Sequence, residues 1–142
     1  MNYFTSTRIN PLLVDIVLLI IRIFVGFAML SHGFPKLQEL LSGQEIMFFS
    51  FLGLSDKTSL ILAVFAEFVC SIFIILGLFT RFAVFFLIIT MAVAGLVVHG
   101  GDPFQKKETS LLYLSVYMML FAFGPGKYSI DYMISRKEDD TW

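Results

Sequence analysis

Four apolar stretches divide this sequence, and their length limits what the chain can fold into more than any other feature. They cover about residues 12–33, 59–79, 82–98 and 109–123. A helix that crosses the hydrocarbon core of a bilayer needs about 20 apolar residues, with about 17 as a practical minimum. The first two stretches are long enough, the third is borderline, and the fourth is short unless it begins near Gln105. We therefore predict an all-α integral membrane protein, a four-helix bundle forming a single domain over residues 1–142 with a polar tail at 135–142.

Composition agrees with a membrane location, because 58% of the residues are hydrophobic and 17 are phenylalanines. A soluble domain of this size has too little interior to hide so much apolar surface. The net charge of −1 and the lack of a Lys/Arg cluster argue against nucleic acid as a partner. The single cysteine, Cys70, excludes an internal disulfide, a CxxC redox pair and a cysteine zinc site. Cys70 is expected to be a small packing residue.

The segment between the first two stretches, residues 34–58, contains a short apolar run at 45–52. This run is too short to span a bilayer and too apolar for open water. An interfacial or re-entrant helix fits it best. A cap packed over the end of the bundle is compatible with the same sequence.

Four crossings place both termini on one side of the membrane. That side carries five basic residues and the other carries four: Arg8, Arg81, Lys127, Arg136 and Lys137 against Lys36, Lys57, Lys106 and Lys107. Cytoplasmic loops carry an excess of Lys and Arg. The small excess predicts that both termini are cytoplasmic.

Two charged residues lie inside the apolar stretches, Arg22 in the first and Glu67 in the second. A charge in hydrocarbon is costly, so such a residue is retained mainly where it faces a partner or a water-filled cavity. We expect the first two helices to touch and Arg22 to pair with Glu67 at mid-depth. The pair would either fix the helix register or form part of a ligand or proton site.

Further polar residues gather at the end of the predicted bundle opposite the termini: His32, Lys36, His99 and Glu108. Together with the deeper pair they predict a polar path that enters from one membrane face and ends at Arg22 and Glu67. Histidine titrates near neutral pH when unperturbed, which favours His32, His99 and Glu67 as proton-transfer groups. The predicted ligand-binding residues are Arg22, Lys36, Glu67 and Glu108.

Each of these residues also has a simpler interpretation. The histidines could hydrogen-bond backbone or water at the interface, and Lys36 could extend to the headgroup region. A metal site built from His32, His99 and Glu108 is disfavoured, because they come from different helices without the i, i+3 or i, i+4 spacing of paired ligands. We therefore predict no metal.

Several short motifs, taken in order, resemble the DoxX family of small bacterial membrane proteins. They are RIFVG at 22–26, HGFPKL at 32–37, FAEF at 65–68, LGLFTR at 76–81, His99-Gly100 with Asp102, Glu108, and GPGKYSID at 124–131. The resemblance implies a four-helix bundle in the bacterial inner membrane. It also implies that Arg22, His32, Lys36, Glu67, Arg81 and His99 are the family-typical polar residues.

The resemblance leaves two functions open. Family members include a quinone-linked subunit of a thiosulfate oxidoreductase, which implies a redox-associated membrane subunit with quinone as the cofactor. The sequence has no haem, flavin or iron–sulfur motif, so electrons would come from a soluble or membrane redox partner. The alternative is a non-enzymatic scaffold or small-anion carrier, in which Arg22, Lys36 and a histidine form the anion site. The lipid bilayer is a partner in both cases, and a homodimer is left open.

Overall fold

The computed structural model describes residues 7–139, and every regular element in that range is helical. Four long helices and one short helix follow one another: α1 (Pro11–Leu41), α2 (Asp56–Leu76), α3 (Thr80–Val98), α4 (Phe104–Phe123) and α5 (Ile130–Asp139). π-Helical segments interrupt α2 at Phe65–Val69 and end α3 at Val93–Val98. The predicted all-α class is confirmed.

Local signals explain where the helices begin and end. The Asn10 side chain accepts a hydrogen bond from the Leu12 amide, and Pro11 occupies the first turn of α1. Ser55 caps α2 through the Thr58 amide. α2 ends at Gly77, whose φ of +69° is the left-handed conformation that glycine adopts readily. α1 runs eight residues beyond its predicted end at Gly33, because Pro35 lies within the helix without stopping it.

Three helices, α1, α2 and α3, are long and apolar enough to cross a membrane. α4 has 20 residues, but its first two turns carry Lys106, Lys107 and Glu108. Its apolar part is therefore the predicted stretch 109–123, and a fourth crossing stays a prediction.

The helix predicted for residues 45–52 is not formed. Residues 45–50 have no regular secondary structure, and only a 3₁₀ turn follows at Phe51–Gly53. The run lies between left-handed residues, Gly43 before it and Leu52 within the turn, and it is too short to form a stable helix between them. Hydrogen bonds to Asp56 and Ser59 tie this segment to the first turn of α2.

Side chains from all four long helices form the core. Fully buried members include Cys70, Ile74, Leu87, Tyr117 and Leu120. Cys70 is thus a packing residue, as expected. Large apolar side chains also cover the outside, such as Phe24, which is 71% exposed. An apolar exterior over an apolar core is the arrangement of a helical membrane protein.

We use two names for the ends of the bundle. The terminal face is the end at which α1 begins, α2 meets α3, and α4 ends. The loop face is the opposite end, which carries the connections at 42–55 and 99–103.

Candidate functional site

Glu67, near the middle of α2, forms an ion pair with Lys36 of α1. The Lys36 Nζ atom lies 2.5 Å from Glu67 Oε1 and 2.6 Å from Oε2. The side chain of Glu67 is only 5% exposed, whereas that of Lys36 is 30% exposed. The ring of Phe48 lies against the same ammonium, with its centroid 5.8 Å away. The buried carboxylate of Glu67 is therefore neutralised by the partly exposed ammonium of Lys36.

Close packing of α1 on α2 sets up this pair. A Cβ atom added to Gly33 would lie 2.7 Å from the carbonyl carbon of Glu67, so only glycine allows this approach. Side chains on a helix lean toward its N-terminus. Lys36, one turn beyond Gly33, therefore leans back to the level of Glu67.

The predicted pair of Arg22 with Glu67 is wrong. Arg22 Nη1 donates to the Pro125 carbonyl at 2.5 Å and Nη2 donates to the Tyr128 carbonyl at 2.8 Å. Arg22 lies beside Gly77, whereas Gly33 lies beside Glu67. The ten or so residues between these contact levels correspond to about 15 Å along the helix axis. A helical wheel places Arg22 on the correct face but does not give its depth against α2.

Arg22 instead belongs to a network at the terminal face, which we call the terminal clasp. It joins Asp15 and Arg22 of α1, the turn 77–80 and the segment 124–131. Asp15 Oδ1 accepts a hydrogen bond from the Lys127 amide at 3.1 Å. The carboxylate of Asp131 accepts from the Phe79 and Thr80 amides at 2.7 and 2.8 Å, which caps α3. Asp15 lies seven residues before Arg22 on the same helix face, a signal that sequence reasoning missed.

The backbone around Glu67 is unusual. Glu67 lies in the π-helical segment Phe65–Val69, and its carbonyl accepts a hydrogen bond from Ser71 Oγ at 2.7 Å. Single π-helical turns within α-helices occur frequently at functional sites. The segment also carries the backbone against which Gly33 packs.

A buried tyrosine completes the site. Tyr117 is fully buried, and its hydroxyl has no hydrogen-bond partner in the described part of the chain. It lies within electrostatic range of Glu67 and stacks on Tyr113, with ring centroids 6.0 Å apart. Tyr113 in turn contacts His32 edge to face at 6.2 Å. We call the five residues His32, Lys36, Glu67, Tyr113 and Tyr117 the Glu67 cluster.

Sequence reasoning missed both tyrosines. Their i, i+4 spacing places them on one face of α4, and this was the available signal. Phenolic hydroxyls are easily overlooked in a chain rich in aromatic residues, because Tyr also serves as an apolar packing residue.

The remaining predicted site residues lie apart from this cluster. His99 Nδ1 lies 2.9 Å from Asp102 Oδ2 in the turn after α3. The hydrogen bond to His99 lowers the pKa of the exposed Asp102 carboxyl. Glu108 is exposed in the second turn of α4. The structure thus brings His32, Lys36 and Glu67 together and places Arg22, His99 and Glu108 elsewhere.

Among residues 7–139, no group of three or more His, Cys, Asp or Glu side chains is arranged to hold a metal ion. The chemistry available to the Glu67 cluster is hydrogen bonding and proton exchange.

The chain matches the DoxX family over residues 17–100, more than half of its length. The chain belongs to the DoxX family. The match includes Lys36 and Glu67 but ends before Tyr113 and Tyr117. No curated protein and no solved structure matches the chain.

The Glu67 cluster of this DoxX-family chain holds both a proton acceptor and proton donors. The Glu67 carboxylate is the acceptor. The Lys36 ammonium has three donor hydrogens, and its two hydrogen bonds to Glu67 leave one of them for a ligand. Tyr117 adds a hydroxyl donor without a partner. Such a set suits a flat, polar headgroup that accepts hydrogen bonds.

Proposed function

We propose that this chain is a quinone-linked subunit of the bacterial inner membrane, whose Glu67 cluster receives a quinone or quinol headgroup. The observation that carries the proposal is the unpartnered Tyr117 hydroxyl within electrostatic range of Glu67, whose buried carboxylate pairs with Lys36. An unsatisfied buried hydroxyl costs about 1–3 kcal/mol. A ligand that accepts its hydrogen bond would account for keeping a tyrosine there.

The residues present fit a quinone headgroup in their hydrogen-bonding groups and aromatic character. The headgroup carries two carbonyl oxygens that need donors, and Tyr117 and Lys36 each have one to offer. Its flat ring suits a site with aromatic walls, which Tyr113 and Phe48 provide. The apolar surroundings suit an isoprenoid tail that enters from the bilayer.

A bound quinone supplies the redox chemistry, in which two electrons and two protons convert quinone to quinol. Tyr117 and Lys36 would orient the headgroup and donate hydrogen bonds to its oxygens. Glu67 would accept a proton or release one, and Lys36 stabilises its ionised form. His32, exposed on α1 and in contact with Tyr113, would pass protons to and from the cluster. A soluble or membrane redox partner would exchange the electrons.

The alternative function, a scaffold or small-anion carrier, receives less support from the geometry. Its anion site required Arg22 and Lys36 as cations. Arg22 donates to two carbonyls in the terminal clasp, and Lys36 is neutralised by Glu67. Neither cation is available to an anion in this arrangement.

Ligand-induced stabilisation tests the proposal. Purified protein in neutral detergent would be titrated with short-chain benzoquinones and naphthoquinones while its Tm is measured. We expect a saturable rise in Tm for the wild type. Tyr117→Phe keeps the ring and removes only the hydroxyl, so we expect about tenfold weaker quinone binding. Without quinone, Tyr117→Phe should be at least as stable as the wild type, because an unsatisfied group is lost.

Tyr128→Phe is the matched control, since it makes the same change at an exposed tyrosine of the terminal face. It should bind quinone like the wild type. The proposal fails if no quinone gives a saturable shift, or if Tyr117→Phe binds as tightly as the wild type.

A further inference from the structure

A second site lies at the terminal face of the bundle. A cavity of about 590 Å³ opens beside the terminal clasp, and its walls include Phe79, Thr80, Arg81, Phe82, Lys127 and Tyr132. Phe79 and Phe82 are 63% and 54% exposed on the outside of the bundle. The cavity therefore borders both the interior and the surface that faces lipid.

Arg81 brings an unmatched positive charge to this cavity. It is exposed, it has no hydrogen bond or ion pair within residues 7–139, and its guanidinium lies beside Gly124. Two carboxylates also line the cavity, but the clasp uses both. Asp131 accepts the two backbone amides that begin α3, and Asp15 accepts the Lys127 amide and lies 3.8 Å from Lys127 Nζ.

Thr80 gives an independent indication of a ligand. It is fully buried and lines the cavity, yet its hydroxyl has no hydrogen-bond partner in the described chain. An unsatisfied buried hydroxyl destabilises the fold. The exposed guanidinium of Arg81 is a donor that suits a phosphate oxygen, and the Thr80 hydroxyl, covered in this structure, becomes a second donor once a headgroup enters the wall.

We infer that this cavity binds the phosphate of an anionic phospholipid headgroup. Arg81 and Thr80 contact the phosphate oxygens, and Phe79 and Phe82 pack against the glycerol and acyl chains. Basic pockets between helices at a membrane surface bind anionic lipid headgroups. The exposed phenylalanines favour a lipid over a free phosphate ion, since an ion gains nothing from apolar walls. This site is separate from the Glu67 cluster.

Lipid binding to the intact protein tests the inference. Protein stripped of lipid in neutral detergent would receive phosphatidylglycerol, phosphatidylcholine or inorganic phosphate. Retained lipid would be measured by native mass spectrometry, and stability by Tm. We expect the wild type to retain phosphatidylglycerol in preference to phosphatidylcholine and to gain Tm from it. Inorganic phosphate alone should give no comparable rise.

Two variants change the cavity in different ways. Arg81→Gln should reduce retention of phosphatidylglycerol about fivefold. Thr80→Val has nearly the same shape and should fold at least as stably, yet it should also bind the anionic lipid more weakly. Arg136→Gln removes the same kind of charge from the same face outside the cavity, and it should leave retention unchanged.

The inference is overturned if both cavity variants retain the wild-type preference, if phosphatidylcholine binds equally well, or if inorganic phosphate gives the full stabilisation. Tyr117→Phe separates this site from the proposed function, because it should keep the lipid preference while losing quinone affinity.

Discussion

The buried carboxylate of Glu67 requires a compensating cation. Glu67 is 4% exposed. In the described chain its carboxylate has one cationic partner, Lys36 of α1. Removing one member of a buried pair is costly, because the other charge is left without compensation. Replacing both members by apolar residues costs much less. A double-mutant cycle can therefore measure the coupling energy between Lys36 and Glu67.

Lys36→Met should destabilise the protein by about 2 kcal/mol, below the usual range for a fully buried pair because the Lys36 side chain is 30% exposed. Glu67→Gln should also destabilise it. The double variant should lie closer to the wild type than the sum of the two effects, with a coupling energy of about 1–2 kcal/mol. Reversible unfolding in mixed micelles, followed by circular dichroism, measures each value.

A parallel cycle with Arg22→Gln and Glu67→Gln provides the control. Their side chains meet different partners at different depths, so their effects should add within about 0.5 kcal/mol. Strong coupling of Arg22 to Glu67, with none between Lys36 and Glu67, would contradict the observed pairing.

At the scale of helices, the contact between α1 and α2 decides which residues can meet. Arg22, Gly33 and Lys36 lie on one face of α1, and this face packs on α2 at Gly77 and Glu67. Which residues of the two helices lie at the same depth depends on the axial offset between the helices. Close contacts, such as that of Gly33 with the Glu67 backbone, fix this offset.

Gly33→Ala tests that approach. The new methyl group would lie 2.7 Å from the Glu67 carbonyl carbon and 2.8 Å from the Phe68 nitrogen. Both are backbone atoms, so α1 must move away from α2. We expect a loss of about 1–3 kcal/mol in unfolding free energy, measured in the same micelles. Gly101→Ala is the control, because nothing lies within 4 Å of its added methyl group. Equal stability of the two variants would show that the helices do not pack this closely.

Other parts of the structure were beyond sequence reasoning for identifiable reasons. The length and apolar content of the stretches predicted α2 and α3 within three residues at each end. The π-helical segments leave no mark in the hydrophobic pattern. The clasp depends on carbonyl acceptors at Pro125 and Tyr128, and every residue type has a carbonyl. The backbone partners of Arg22 therefore could not be predicted from the types of side chain.

At the scale of the whole molecule, the two polar assemblies lie at different depths of one bundle, about 15 Å apart along the helix axis. The Glu67 cluster lies near the middle of α2, and the terminal clasp ties α1 to the segment before α5 at the terminal face. The clasp holds the beginning of α1 beside the beginning of α5. The two ends of the described chain therefore lie at the same face, in agreement with an even number of crossings.

Site-directed labelling tests the topology predicted from the sequence, in which four crossings leave both termini in the cytoplasm. Cys70 is buried, and Cys70→Ala gives a background without cysteine. In that background Lys57→Cys, at the start of α2, should react with a membrane-impermeant maleimide added to spheroplasts. Arg136→Cys, in α5, should react only after the membrane is permeabilised. Each helix near 30 Å long can cross the hydrocarbon core once, and α4 with its 20 residues reaches this length. If Lys57→Cys and Arg136→Cys react from the same side, α4 does not cross the membrane, and the prediction of four crossings fails.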